Sequence, residues 1–321
     1  MLFRSRPAAH AQMQHDFAEE SLRETPELHR RVDVDYNAWW MCLIPREVPE
    51  KIGLPLPLFI KWDDAEYGLR AKSAGYRTVT LPGAAIWHLA WTDKDDVSDW
   101  QAYFFARNRL IVAALHSPHA DTGGIVRSNV KADLKHLLKL EYSAVALHLK
   151  AYEDFLAGPD AVFPALPTAL GDVRARQRTY SDSQVITDRS AIPEPELDAV
   201  VTEGMAVPPV GLPAIAKAAV KALRTNLRPV RSTGDRPQLQ VPAQDAQWFL
   251  LAQLDAATVG TADGRGVTFR RRDPAAFREL ARRSVQLNRE IRKRFPEMQG
   301  RYRAAAGDLT SLENWQKAFT G

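Results

Sequence analysis

Two adjacent carboxylates, Asp63 and Asp64, sit between Trp62 and Ala65, and a lone histidine, His88, follows downstream between Trp87 and Leu89. A carboxylate beside a second acid and an indole has its proton affinity raised toward the range of a general base. Asp64 is therefore a candidate base and Asp63 a candidate binder of substrate hydroxyls. Trp62 adds a flat apolar face next to hydroxyl-binding groups, a pairing that suits a sugar. The plainer alternative is a helix cap, with Asp63 at the N-cap and Asp64 in the first turn. His88 is a candidate ligand for a divalent cation through one ring nitrogen, but a lone histidine among apolar neighbours equally serves packing. No His-x-x-x-His or His-x-x-Glu-His spacing accompanies it, which argues against a zinc hydrolase.

Trp39 and Trp40 are neighbours, so in a strand only one faces the core and the other is left as a platform for a carbohydrate. Burial of both across two layers is the alternative. Asp33-Val-Asp35 has an Asp-x-Asp spacing that could hold a metal diphosphate. Strand alternation puts both aspartates on one face, which fits a solvated face or a helper role better.

The elements that must position these residues follow from periodicity. Leu58-Phe59-Ile60 reads as the end of a short strand and Ala65 to Ala74 as a helix, which places Asp63 and Asp64 at a strand-to-helix junction. Open α/β sheets put their ligand crevices at such junctions. Val32 to Ile44 reads as strand-rich, Pro45 to Gly53 as a short helix closed by glycine, and Tyr76 to Leu81 as a strand ended by Pro82-Gly83. Ala84 to Trp91 is a further apolar stretch. From Ser98 or Asp99 the period becomes helical to His116, and a single longer helix is expected from Ile125 to Leu156, stopped by Gly158-Pro159. Residues 180–245 read as linker-like, with a possible amphipathic helix between Ala206 and Arg231 whose apolar stripe is Ile215, Ala219 and Leu223. Lys217, Lys221, Arg224 and Arg228 would lie beside that stripe, a pattern suited either to an anionic membrane surface or to packing on its own domain. Trp248-Phe-Leu-Leu251 and Gly266-Val-Thr-Phe269 flank a turn signal at Thr261 to Gly264 and predict a hairpin, followed by a basic helix from Pro274 to Phe295 and a short one from Ser311 to Phe319.

Composition narrows the class. The chain has 321 residues, 45% of them hydrophobic and 26% charged, a globular balance. Net charge is only +4, yet basic residues gather late in the chain, as in Arg270-Arg-Arg272 and Arg292-Lys-Arg294. That asymmetry points to anionic partners, but no nucleic-acid motif accompanies it and a nucleic-acid role is not expected. The single cysteine, Cys42, excludes an intrachain disulfide and a multi-cysteine zinc site. No apolar run is long enough for a membrane span, and the first residues lack the apolar core of a secretory signal.

Taken together, Trp62-Asp-Asp-Ala-Glu-Tyr-Gly-Leu-Arg70, Leu81-Pro-Gly-Ala-Ala-Ile-Trp-His88, Asp99-Trp-Gln-Ala-Tyr-Phe104, Arg107-Asn-Arg-Leu110 and Gln244-Asp-Ala-Gln-Trp-Phe-Leu-Leu251 resemble the polymerising galactofuranosyltransferases of mycobacteria and their relatives. The resemblance implies an α/β fold: the C-terminal part of a GT-A (Rossmann-like) glycosyltransferase domain over 1–97, then a mostly helical domain over 98–179, the linker-like 180–245, and a β-hairpin with basic helices over 246–321. It implies an inverting enzyme that transfers galactofuranose from UDP-galactofuranose to cell-wall galactan through β(1→5) and β(1→6) linkages. Asp64 would be the base, Asp63 would orient the acceptor, Trp39, Trp40, Trp62 and Trp91 would line the sugar site, and His88 would be one ligand of Mg²⁺ or Mn²⁺. A homo-oligomer placed peripherally at the cytoplasmic face of the plasma membrane is implied as well. Phe105 stands where the family is expected to have histidine. The family's donor-binding half and acidic metal motif would lie upstream of the matched region, so the isolated chain is expected to be inactive. A noncatalytic glycan-binding or oligomerisation module is the competing expectation.

Overall fold

A computed structural model describes residues 19, 21–26, 29–81, 84, 86, 95–195, 207–230 and 236–320. Its first part holds a two-stranded antiparallel sheet, β1 (Val32–Val34) and β2 (Thr78–Thr80), with Asp33 opposite Val79. Two helices lie between these strands, α1 (Glu47–Ile52) and α2 (Asp63–Ser73). Val48, Tyr67 and Ala71 form the small core that joins them, with Trp39, Ile52 and Tyr76 packed on it.

The strand-rich reading of 32–44 is corrected, because only Val32–Val34 is strand. Beyond it Asp35 turns away to an ion pair with Lys72, while Asp33 pairs with Arg31 at 2.7 Å. Both aspartates are thus spent on surface pairs. The strand expected at Leu58-Phe59-Ile60 is absent too. Phe59, Lys61 and Trp62 have φ of 72°, 67° and 68°, a left-handed path that no strand can follow. Leu58 is nevertheless fully buried, so its apolar character reported burial and not strand.

Four helices build the main core: α3 (Gln101–His116), α4 (Ile125–Leu138), α5 (Tyr142–Ala157) and a long C-terminal helix. Leu110, Ile111, Leu137, Val145, Tyr152, Phe155 and Ile291 are buried where they meet. The single helix expected over 125–156 is in fact α4 and α5, broken at Leu140 with φ 58°. The Leu140 N–H donates to Leu137 O at 3.1 Å and the Glu141 N–H to His136 O at 2.9 Å, the pattern of a Schellman cap with leucine where glycine is usual. Leucine in that conformation costs roughly 1–2 kcal/mol, and its complete burial offsets this. The apolar period runs unbroken through the cap, which is why periodicity alone joined the two helices.

Beyond α5 come α6 (Val162–Ala165), α7 (Ala169–Arg178) and β3 (Val185–Ile186), then α8 (Leu212–Leu227), β4 (Leu239–Val241) and α9 (Trp248–Leu251). The chain closes with β5 (Ala256–Gly260), β6 (Val267–Arg271), α10 (Pro274–Leu309) and α11 (Leu312–Thr320). A four-stranded sheet has the order β3-β6-β5-β4, with β4 parallel to β5 and the other pairs antiparallel. The expected hairpin exists, but its first strand is β5, and Trp248–Leu251 is helical. In α8 the buried positions are Ala222 and Asn226, while Ile215 of the apolar stripe is exposed.

The basic helix does not stop at Phe295. α10 continues through Pro296 for 36 residues. An interior proline costs about 3 kcal/mol, and the buried row Ile291, Phe295, Met298 and Tyr302, spaced four, three and four apart, outweighs it. Phe155 and Tyr302 stack with ring centroids 5.4 Å apart.

The far end of α10 reaches back to the first part of the chain. The Leu54 N–H donates to Thr310 O at 2.8 Å, and Trp315 Nε1–H donates to Pro55 O at 2.9 Å. Gly53, with φ 79°, allows this approach: a Cβ there would lie 2.7 Å from Thr310 O. The loop that leads to Asp63 and Asp64 is therefore held at its start by the C-terminal helices.

Candidate active site

Helix α2 begins at Asp63, one residue earlier than a cap at Asp63 would require. The N-cap is Trp62, whose side chain makes no capping bond, and Asp63, Asp64 and Glu66 all fall in the first turn. Asp64 Oδ1 accepts the Ala65 N–H at 2.7 Å. Burial pushes both carboxyls above their ordinary range. For Asp63 the nearby backbone N–H groups and Lys61 pull the other way; for Asp64 the Ala65 N–H and Lys61 oppose, while the charge of Asp63 adds to the rise. The burial effect wins even at a helix N-terminus, where the dipole favours ionised acids.

Lys61 faces a second acidic segment, with Nζ 2.6 Å from Asp96 Oδ2. Gln101 Nε2–H donates to the other oxygen of Asp96 at 2.7 Å, and Asp99 Oδ1 accepts the Gln101 N–H at 2.8 Å. Burial pushes the Asp99 carboxyl up to about 6, with Asp96 and Asp95 adding to it. Asp95 Oδ2 accepts the Ala262 N–H at 3.0 Å, so the β5–β6 turn touches this segment from the other end of the sequence.

Aromatic rings border the acids. Trp62 and Phe105 have centroids 5.6 Å apart, and Phe59 packs on Phe104 at 5.1 Å and on Trp100 at 6.4 Å. Phe105 is 41% exposed, so at the position where a histidine was expected the chain presents an apolar ring. Of the tryptophan pair, Trp39 meets Tyr67 edge-on at 5.4 Å within the small core, whereas Trp40 is 51% exposed. Of the two, Trp40 is the more exposed ring. His88 and Trp91 lie outside the described residues, as does most of the stretch from Ala84 to Trp91.

The sequence reading passed over Tyr36. Its hydroxyl is pushed above the usual range by burial first and then by the charges of Asp64 and Asp35, which puts it within electrostatic reach of the candidate base. The signal that could have found it is Gly68. A Cβ on Gly68 would lie 2.4 Å from Tyr36 Cβ and 2.9 Å from its Cα, so α2 approaches this backbone only because position 68 has no side chain. Alanine for glycine inside a helix ordinarily stabilises by about 0.5–1 kcal/mol. Here overpacking of about 1–3 kcal/mol exceeds that gain. Gly68→Ala is expected to lower unfolding free energy in urea titrations, and a variant as stable as the parent or more so would show that Tyr36 is not held there.

Among the described residues no group of three or more His, Cys, Asp or Glu side chains could hold a divalent cation. Asp63 and Asp64 alone are too few oxygen ligands for Mg²⁺.

An aromatic border beside two acids of raised proton affinity is an arrangement suited to a sugar, and residues 3–113 match the family model for glycosyltransferase-like family 2. Residues 125–321 match the model for galactofuranosyltransferase-2, domain 3, and the chain belongs to that family. It is 50% identical over 320 residues to galactofuranosyltransferase GlfT2 of Mycobacterium tuberculosis, which covers 97% of this chain and 50% of the relative. It is also 50% identical over 321 residues to galactofuranosyltransferase GlfT2 of Mycolicibacterium smegmatis, covering 97% of this chain and 49% of that protein. The chain thus spans about half the length of the curated relatives it matches.

Proposed function

We propose that this chain forms the acceptor side of an inverting galactofuranosyltransferase that moves galactofuranose from UDP-galactofuranose to a growing galactan. The observation that supports this most is the half-buried Asp63–Asp64 pair beside Trp62 and Phe105, in a chain so similar to enzymes named galactofuranosyltransferase. Asp64 removes the proton of the attacking acceptor hydroxyl as the new bond to the anomeric carbon forms and the bond to the UDP oxygen breaks on the opposite face. One base and one displacement invert that carbon. Asp63 orients the acceptor hydroxyls, and Trp62 and Trp40 bear on the apolar sugar faces, with Trp39 supporting them from the small core. Trp91 belongs to the same wall in this reading. His88 is proposed as one ligand of a Mg²⁺ or Mn²⁺ ion, which when bound would offset charge on the departing UDP. The alternating β(1→5) and β(1→6) linkages belong to the proposal too.

The test is transfer itself. The protein at the length its gene encodes, given UDP-galactofuranose and a short galactofuranoside, should yield chain-extended products by mass spectrometry. Tight binding of galactan fragments by the gene-length protein with no product under any metal condition would favour a noncatalytic module and sink the transfer reading.

The same reading places the protein, as a homo-oligomer, on the cytoplasmic face of the plasma membrane. No helix among the described residues is long and apolar enough to cross a bilayer. Helix α8 exposes Leu212, Ile215, Val220 and Leu227, and it carries Lys217 and Arg224, with Arg228 at its end. Basic residues beside an exposed apolar row suit an anionic surface, at about 1 kcal/mol for each charge near it. Binding to vesicles containing phosphatidylglycerol is expected to weaken as salt rises, and a combined Lys217→Glu and Arg224→Glu variant is expected to lose at least about tenfold in partitioning. Salt-independent or absent vesicle binding would remove α8 from the membrane model.

A further inference from the structure

The backbone that presents Asp63 and Asp64 is strained. Phe59, Lys61 and Trp62 all have positive φ, and each such residue costs on the order of 1–3 kcal/mol. A path of this kind persists only where its surroundings fix it. Phe59, Lys61 and Trp62 follow the carbonyls of Leu58, Ile60 and Lys61, so their positive φ sets the orientation of those three peptides, and desolvated carbonyls demand donors.

One side chain answers all three. Asn108 of α3 is fully buried, and its Nδ2 donates to Leu58 O at 3.1 Å, Ile60 O at 2.8 Å and Lys61 O at 3.0 Å. Its amide orientation is set by chemistry. Asn108 Oδ1 accepts the Arg107 Nε–H at 2.9 Å, and a guanidinium can only donate, so the amide nitrogen must face the carbonyls. Arg107 adds a second donor to Leu58 O at 3.2 Å and is itself tied to the Tyr103 hydroxyl, which donates to Asp154 at 2.7 Å. The last carbonyl in the set belongs to Lys61, two residues before Asp63. Neither Arg107 nor Asn108 reaches the candidate acids directly.

We propose that Asn108 is a positioning residue for catalysis, whose side-chain amide holds the left-handed 58–62 loop in the one path that aims Asp63 and Asp64 at the acceptor. The inference rests on the transferase reading for its consequence and on the loop geometry for its cause. A misplacement of about 1 Å at reacting groups costs about 100-fold in rate, so loss of the amide acts on turnover more than on substrate affinity.

Asn226 supplies a matched control. It too is fully buried, and its Nδ2 donates to Ala222 O at 2.9 Å and Ala252 O at 3.3 Å, both outside the loop. In the gene-length protein, at a temperature where every variant is folded, Asn108→Ala is expected to lower kcat about 100-fold with little change in the KM for UDP-galactofuranose. Asn226→Ala should lose stability without that loss of kcat. Hydrogen exchange of the 57–66 peptide should speed up in Asn108→Ala and stay at the parental rate in Asn226→Ala. If Asn108→Ala does not fold, Asn108→Ser, which keeps one donor, should show the same two effects in smaller measure. Parental exchange in 57–66, or equal kcat losses in the two alanine variants, overturns the inference. If the parent protein transfers no galactofuranose, the transferase reading falls by itself, and the exchange comparison still decides whether Asn108 holds the loop.

Discussion

Asp64→Asn is expected to lower kcat for galactofuranosyl transfer about 10³-fold while the protein keeps its fold and its affinity for acceptor. Asparagine retains the size of the side chain and an oxygen for the Ala65 N–H, whose bond to Asp64 Oδ1 is 2.7 Å long; only the ability to take a proton goes. Asp63→Asn should act differently, raising acceptor KM with a smaller change in kcat, because it removes an orienting group and not the base. The pH profile separates the two. Burial and the Asp63 charge hold the Asp64 carboxyl above its ordinary range, so activity should fall with acid at a higher pH than an unperturbed carboxylate would give. Loss of the neighbouring charge lowers that proton affinity, and in Asp63→Asn the acid limb should move to lower pH. Unchanged turnover in Asp64→Asn would end its assignment as the base. An acid limb that moves upward in Asp63→Asn would show that the pair is not coupled as described.

The candidate acids were more legible than their scaffold. Trp62, Asp63 and Asp64 stood out because an indole and two acids in sequence have few packing uses, and the structure puts the two acids, partly buried, in the first turn of α2. The helices α1, α2 and α3 were also legible, since their apolar spacing and the Gly53 stop are local signals. What failed was the inference from apolar runs to strands. Leu58-Phe59-Ile60 is apolar because Leu58 fills the helical core and Phe59 packs on Phe104, and neither requirement fixes a backbone conformation. The fixing contact comes from Asn108, far along the chain, and no local pattern reveals it. Leu140 is the same lesson at a helix end: a buried leucine in the place of a cap glycine hides the break. Pro296 is the reverse case, a breaker overridden by the buried row on either side of it. Tyr36 escaped notice because its neighbour in space, Gly68, is meaningful only once α2 is packed.

Arg270→Met is expected to lower unfolding free energy by about 3–5 kcal/mol, the largest loss of stability for any single change proposed for this chain. Arg270 on β6 is buried, and its Nη1 lies 2.6 Å from Glu141 Oε1 at the α4–α5 turn. Glu141 is a hub: His136 Nδ1 lies 2.6 Å and Lys139 Nζ 2.8 Å from its carboxylate. Burial alone would raise the Glu141 carboxyl, but Arg270 first, then His136 and Lys139, hold it well below the usual range. A depressed carboxyl contributes stability that is present above the unfolded pKa and lost as pH falls through the folded one. Methionine fills the space of Arg270 without its charge and leaves the buried carboxylate undercompensated. The deficit should therefore be greatest near neutral pH and shrink in acid, where Glu141 in the variant takes up a proton more readily than in the parent. Adding Glu141→Gln to Arg270→Met should restore part of the loss at neutral pH, because the uncompensated charge is then gone, and urea titrations of the four proteins of the cycle measure that coupling directly. Since the turn is remote in sequence and contact from the 58–64 loop, kcat of the folded Arg270→Met variant should match the parent. A loss under about 1 kcal/mol for the single variant would mean that water reaches Glu141 and that the sheet is not fastened to the helical core through this pair.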